Sequence, residues 1–248
     1  MSLPSNQQID QAVEGIRLEK TFPRFTIGQR WEHLVLIVSF IVLLLTGLVQ
    51  KYRTAAWSQN ILSTPERLQL VQDIHHIFAL MLTAEVIYHL GRSIVLLARR
   101  RLPGNIFFTW QDVRDGFQML KYLTFISRKK PDYWKFNFEQ KVTYWFIFFS
   151  IAIMILSGFI IWFPVFYTRF LPGAIVPAAK LAHSTEAIVA VIFVIIWHLY
   201  HVLIERLNLS IFTGRLSESE MKSYHRLEYD KLAKQVAPAA APAEGGEQ

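Results

Sequence analysis

The chain has 248 residues, 52% of them hydrophobic and 14% aromatic, with a formal net charge of +7 and no cysteine. The absence of thiol excludes disulfides, iron–sulfur clusters, thiolate zinc sites and covalently attached c-type haem, so any redox group has to hang on histidine. The positive charge lies beside long apolar runs and not in a nucleic-acid-binding stripe, which points to a membrane protein and away from nucleic acid.

The first thirty residues contain no apolar run ahead of a small-residue cleavage site, so no removable signal peptide is expected. Four stretches then reach the length needed to cross a bilayer: residues 31–50, 74–97, 142–163 and 179–204. Of the Lys and Arg residues, twenty lie before the first stretch, in the middle connection or in the C-terminal part, against five in the two other connections. The positive-inside rule then places both termini and the middle connection in the cytoplasm. Ser63-Thr64-Pro65 and Pro172-Gly173 supply helix-start and turn chemistry in the outer connections.

In the middle connection, Val113, Phe117 and Leu120 recur at helical spacing between Asp112 and Tyr122, which predicts an amphipathic helix on the cytoplasmic membrane surface. From residue 236 the chain is Ala-, Pro-, Glu- and Gly-rich and is expected to be disordered. The expected architecture is therefore all-α: one four-helix integral membrane domain over residues 1–235, followed by a tail over 236–248.

Histidines mark the ends of these spans. His33 opens the first, His75 and His76 open the second, His89 follows fourteen residues after His75, and His183 and His198 bracket the fourth. At a rise of about 1.5 Å per residue, the last two lie about 22 Å apart along one helix, suited to two haems stacked across the membrane. By depth, His75 and His183 share the outer side, while His33, His89, His198 and His201 share the inner side.

Depth alone pairs His75 with His183 and His198 with His33. Spacing leaves alternatives open: His89 returns to within about 40° of the His75 face, and His201 is nearly eclipsed with His183. Four inner histidines also admit a third haem. Gly47 and Gly158 suit either helix packing or close approach of a porphyrin. Glu85 and His89, one turn apart, are expected to pair or to lie on a proton path. Arg92, Arg99, Arg100 and Arg101 are expected to anchor a helix end in lipid headgroups, with propionate pairing the other use of Arg92.

A family likeness rests on Arg30-Trp31-Glu32-His33, Thr46-Gly47, Asp73-Ile74-His75, the run from Phe136 to Lys141 followed by Tyr144-Trp145, Ser157-Gly158, Ile161-Trp162-Phe163-Pro164, His183 and His198-Leu199-Tyr200. With these the chain resembles the di-haem cytochrome b subunits of respiratory formate dehydrogenase and of membrane-bound hydrogenases and thiosulfate reductases. The resemblance implies His75 and His183 as axial ligands of an outer haem b, His33 and His198 as those of an inner one, and a quinone site involving His198 and Asn137. Where formate dehydrogenase has a glycine, this chain has Glu139, a carboxylate beside that site. The family spacing between the two ligands of the fourth span is fourteen; here it is fifteen, which calls for a local bulge or a different ring rotation. His89 and His201 have no counterpart in that pattern.

The expected activity is electron transfer in the cytoplasmic membrane of a bacterium or archaeon, between an outer-face iron–sulfur or multihaem cytochrome subunit, itself joined to a catalytic subunit, and menaquinone or ubiquinone near the inner face. Membrane lipid and quinone complete the expected partners. The same wiring run backwards, quinol oxidation feeding an external reductase, is the alternative within redox chemistry. A non-redox assembly anchor is the alternative from another class.

Overall fold

A computed structural model describes residues 20–101 and 106–236. It divides into two compact units, one of Ile27–Gly104 with Glu139–Leu209, the other of Met1–Thr26, Asn105–Phe138 and Ser210–Gln248. The expected tail lies, from residue 237 onward, outside the described residues.

The first unit holds α1 (Ile27–Lys51), a short α2 (Ala56–Ile61) and α3 (Pro65–Ala98). After the middle connection and its helix α4 (Trp110–Leu123) come α5 (Phe138–Trp162), α6 (Pro164–Tyr167) and α7 (Ile175–Phe193). Two π-helical segments, Val194–His198 and Tyr200–Ile204, prolong α7. The four long helices, counting α7 to Ile204, are each long and apolar enough to span a membrane. All four begin before the expected edges, α3 most of all: Thr64 caps it, accepting a bond from the Arg67 N–H at 3.4 Å, and Pro65 opens it. His75 thus sits ten residues inside α3 and does not open it.

Their packing inverts that of a water-soluble bundle. The buried residues are largely small or polar, among them Ser39, Ser150, Ser157, Ala179 and Ala190, while Ile41, Leu45, Ile87, Leu156 and Ile196 face outward. Lipid tails are as apolar as leucine, so large apolar side chains gain nothing by turning inward and small residues let backbones approach. α1 and α3 form the most closely packed pair. The Lys51 ammonium ties the end of α1 to α7 through the Ser184 carbonyl at 3.1 Å and its hydroxyl at 2.9 Å.

The second unit adds a small two-stranded sheet to a chain that is otherwise all-α, as expected. Strand β1 (Thr21–Pro23) pairs antiparallel with β2 (Arg215–Ser217), Phe22 opposite Leu216. The turn into β2, after α8 (Ser210–Thr213), passes through Gly214 at φ 78, a conformation that favours glycine. Phe22 and Leu216 form a small core with Met221 of α9 (Glu218–Tyr224) and with Tyr229 and Leu232 of α10 (Arg226–Val236). Pairing residues so far apart in sequence is a tertiary event that local periodicity does not announce. His225 is fully buried and donates from Nδ1 to the Trp134 carbonyl at 2.8 Å. α4 begins at a Thr109/Asp112 capping box, two residues before the expected start, and leaves Trp110, Phe117, Leu120 and Leu123 exposed.

Candidate functional site

Four histidines of the membrane-type unit meet as two facing pairs. At the Lys51 end of α1, the rings of His75 on α3 and His183 on α7 lie with centres 6.4 Å apart and planes at 66°. At the Ile27 end, His33 on α1 and His198 on the π-helical extension have centres 6.3 Å apart and planes at 55°.

Neighbouring hydroxyls orient the first pair. Thr46 donates its hydroxyl hydrogen to the Val42 carbonyl at 2.7 Å, so toward His75 Nδ1, 2.8 Å away, its oxygen must accept. Ser157 does the same, donating to the Ile153 carbonyl at 2.6 Å and accepting from His183 Nδ1 at 3.0 Å. The Met154 carbonyl, 3.1 Å from the same nitrogen, points to the same tautomer. Both rings therefore carry hydrogen on Nδ1 and keep the Nε2 lone pair for a ligand, the arrangement by which outer partners fix metal-binding imidazoles.

The residue after each hydroxyl is glycine, and the space it leaves is taken by the imidazole. A Cβ on Gly47 would stand 3.5 Å from His75 Cε1; one on Gly158 would stand 3.2 Å from His183 Cε1. A hydroxyl–glycine step on α1 thus seats the ring from α3, and the same step on α5 seats the ring from α7. The third span supplies no imidazole but half of this support. The repeated Thr-Gly and Ser-Gly dipeptides were the available sequence signal for it.

The ring spacing tests what these pairs suit. An imidazole nitrogen bonds a transition metal at about 2 Å and lies about 1.1 Å from its own ring centre, so two imidazoles on opposite sides of one iron have centres about 6.3 Å apart. Both observed separations match. The π-helical segment ending at His198 takes up one residue more than an α-turn, so the fifteen-residue spacing from His183 carries about the rotation of fourteen.

The other sequence candidates have different neighbours. His89 Nδ1 lies 2.8 Å from Glu32 Oε2 and its Nε2 lies 3.3 Å from the Tyr144 hydroxyl, so both nitrogens are engaged. His201 donates from Nδ1 to the Trp197 carbonyl at 2.7 Å, with Nε2 3.9 Å from Glu205. His76 stacks on Trp162, centres 3.9 Å apart and planes at 10°. Glu139 and Lys141 are buried in the first turn of α5; Asn137, just before it, is half-buried and belongs to the other unit.

Arg92 corrects its expectation. It turns to Glu32, Nε 2.8 Å from Oε1 and a terminal nitrogen 2.9 Å from Oε2, instead of reaching for headgroups. The packing of α1 on α3 brings a buried carboxylate within its reach, and the fork-shaped cation lies against both oxygens, hydrogen-bonding Oε2 and pairing with Oε1 by charge. The same carboxylate, on another helix, is what His89 Nδ1 meets, and Glu85, one turn away, also presents an oxygen within 4.8 Å of that imidazole.

The sequence pattern of the prokaryotic cytochrome b561 family matches residues 24–214. Among individual proteins, the chain is 25% identical over 216 residues to the formate dehydrogenase cytochrome b556(fdo) subunit of Escherichia coli K12, covering 86% of this chain and 94% of that one. It is 22% identical over 206 residues to the nitrate-inducible formate dehydrogenase cytochrome b556(Fdn) subunit of the same strain, covering 83% and 88%. With the formate dehydrogenase cytochrome b556 subunit of Haemophilus influenzae it shares 23% identity over 158 residues, 64% of this chain and 61% of that one.

Proposed function

The chain belongs to the prokaryotic cytochrome b561 family, and from that premise we propose that it is the membrane cytochrome b subunit of a formate dehydrogenase-type respiratory complex. Two b haems, one on His75 and His183 and one on His33 and His198, would carry electrons between an outer-face redox subunit and quinone near the cytoplasmic face. The carrying observation is the pair of facing imidazole sets at 6.4 and 6.3 Å. Bound between them, haem supplies reversible one-electron chemistry; the chain supplies ligation, burial and orientation.

In this reading both termini and α4 lie on the cytoplasmic side, with the apolar face of α4 on the membrane surface, as the basic residues around it favour. Asn137 and Glu139, beside the start of α5, offer hydrogen-bonding and proton-accepting groups to quinone carbonyls, with Lys141 next to them. An iron–sulfur subunit and a catalytic subunit are the expected partners on the other face, by analogy with the complexes named for the relatives.

Pyridine haemochrome analysis of the purified protein tests the reading and is expected to give about two b haems per chain. Protein made with ample haem yet devoid of it overturns the assignment. For the quinone site, Asn137→Ala is expected to slow haem reoxidation by a menaquinone analogue while both haems stay bound. Wild-type rates in that variant would remove Asn137 from the site.

A further inference from the structure

At the His33 end of the bundle, α1, α3 and α5 enclose ionisable groups that ligate nothing in the reading above. Glu32, only 9% exposed, precedes His33 in the chain. Arg92 holds both its oxygens, at 2.8 and 2.9 Å, so carboxylate and guanidinium cancel one another. His89 donates its Nδ1 hydrogen to the same carboxylate at 2.8 Å and turns Nε2 to the Tyr144 hydroxyl at 3.3 Å. Glu85 completes the cluster: its carboxyl, Glu32 and His89 each present an atom within 4.8 Å of the other two. The groups facing Glu85 and His89 are thus Glu32 from α1, Arg92 from α3 and Tyr144 from α5.

Three such side chains are also what a divalent cation would use, but the bidentate Arg92 would have to be displaced first, which disfavours a metal. With Glu32 and Arg92 neutralising each other, Glu85 and His89 remain as one carboxyl and one imidazole with a proton to gain or lose. Within a bilayer an added charge is costly, and a negative charge arriving nearby favours protonation of its neighbours.

We propose that Glu85 and His89 form a proton-uptake site that binds a proton from the cytoplasmic side when the haem held by His33 and His198 gains an electron. The inference rests on the two-haem reading. Each electron passing this end then travels with one proton and leaves with it, and two of each convert a quinone into its quinol. Tyr144, hydrogen-bonded to His89, is the polar group through which the pair adjoins α5, whose first turn carries Glu139. Glu32 and Arg92 are positioning residues that hold His89 by its Nδ1 hydrogen.

Equilibrium redox titration of the haem-loaded protein between about pH 6 and about pH 9 tests this, because a proton taken up with the electron makes the potential depend on pH. The wild-type potential of the His33–His198 haem is expected to fall as pH rises, by up to about 59 mV per unit for one proton per electron. Glu85→Gln and His89→Gln are each expected to flatten that slope, leaving the His75–His183 haem unchanged. Glu85→Asp, which retains a carboxyl, should keep it. A flat wild-type profile with both haems present overturns the proton site alone, as do unchanged slopes in the Gln variants. Loss of the haem in His89→Gln, or a metal retained in equal amount with the protein and removed by that substitution, also overturns it. No haem at the His33 end in the wild type brings down the functional reading itself.

Discussion

The two ends of the bundle reach nearly the same ring spacing by different means. At the His75–His183 end, two neutral hydroxyls and two glycines seat the rings, with the hydrogens on Nδ1 fixed by Thr46 and Ser157. At the His33–His198 end, the neighbourhood is charged: Glu32, next in the chain to His33, is shared by Arg92 and His89. One end is built to hold an imidazole in one tautomer; the other sets a cluster of ionisable side chains around the residue next to His33. Ligation geometry and electrostatic setting are therefore separable in this fold.

The comparison breaks most plainly on the ligands. Replacing His75 or His183 by alanine is expected to remove one haem and leave the other, halving the pyridine haemochrome, and replacing His33 or His198 should remove the opposite one. His89→Ala should keep both. If His89→Ala removes a haem that His33→Ala retains, the charged end has been misassigned.

Glu32→Gln comes next in size. It leaves Arg92 without its carboxylate in a largely buried place, with a cost of about 3 kcal/mol. Thermal melting in detergent should show a lower midpoint, with spectral change confined to the His33–His198 haem.

Removing a hydroxyl tests the other end. Loss of such a partner costs about 10- to 100-fold in metal affinity. Thr46→Val is expected in the upper part of that range and Ser157→Ala in the lower, because the Met154 carbonyl, at 3.1 Å, still accepts the His183 Nδ1 hydrogen. Haem titration of each variant measures the difference, and equal losses would deny Met154 that part.

The smallest expected effect separates the two glycines. In Gly158→Ala the new methyl meets His183 at 3.2 Å and the ring has to give way, at a cost of about 1 kcal/mol. In Gly47→Ala the contact with His75 is an ordinary 3.5 Å and haem content should stay near wild type. A larger loss in Gly47→Ala would mean that something besides the imidazole uses the space there.

Much of this was legible beforehand. Long apolar runs announced the four helices because a bilayer demands about twenty apolar residues of any helix that crosses it. Ser63-Thr64-Pro65 announced the start of α3, although its polar first turns hid nine of its residues from a hydropathy reading. Depth along the chain drew His33 toward His198 and His75 toward His183, and the rings do face one another in those pairs. What stayed hidden were the other relations between segments distant in sequence: the Thr46 and Ser157 hydroxyls under the rings, the Glu32 carboxylate between Arg92 and His89, and the β1–β2 pairing of segments nearly two hundred residues apart.

By itself, then, the sequence determined that there are four helices of membrane-spanning length, how far apart the histidines lie along each of them, and that no thiolate was available to hold a redox centre, since hydropathy, helical rise and the absence of thiol are properties of the chain alone. The tertiary structure decided which side chains of equal depth meet. Helix rotation and packing set those encounters, and they depend on small residues, glycine clearances and the π-helical turns before His198, whose effect appears only when the helices are side by side.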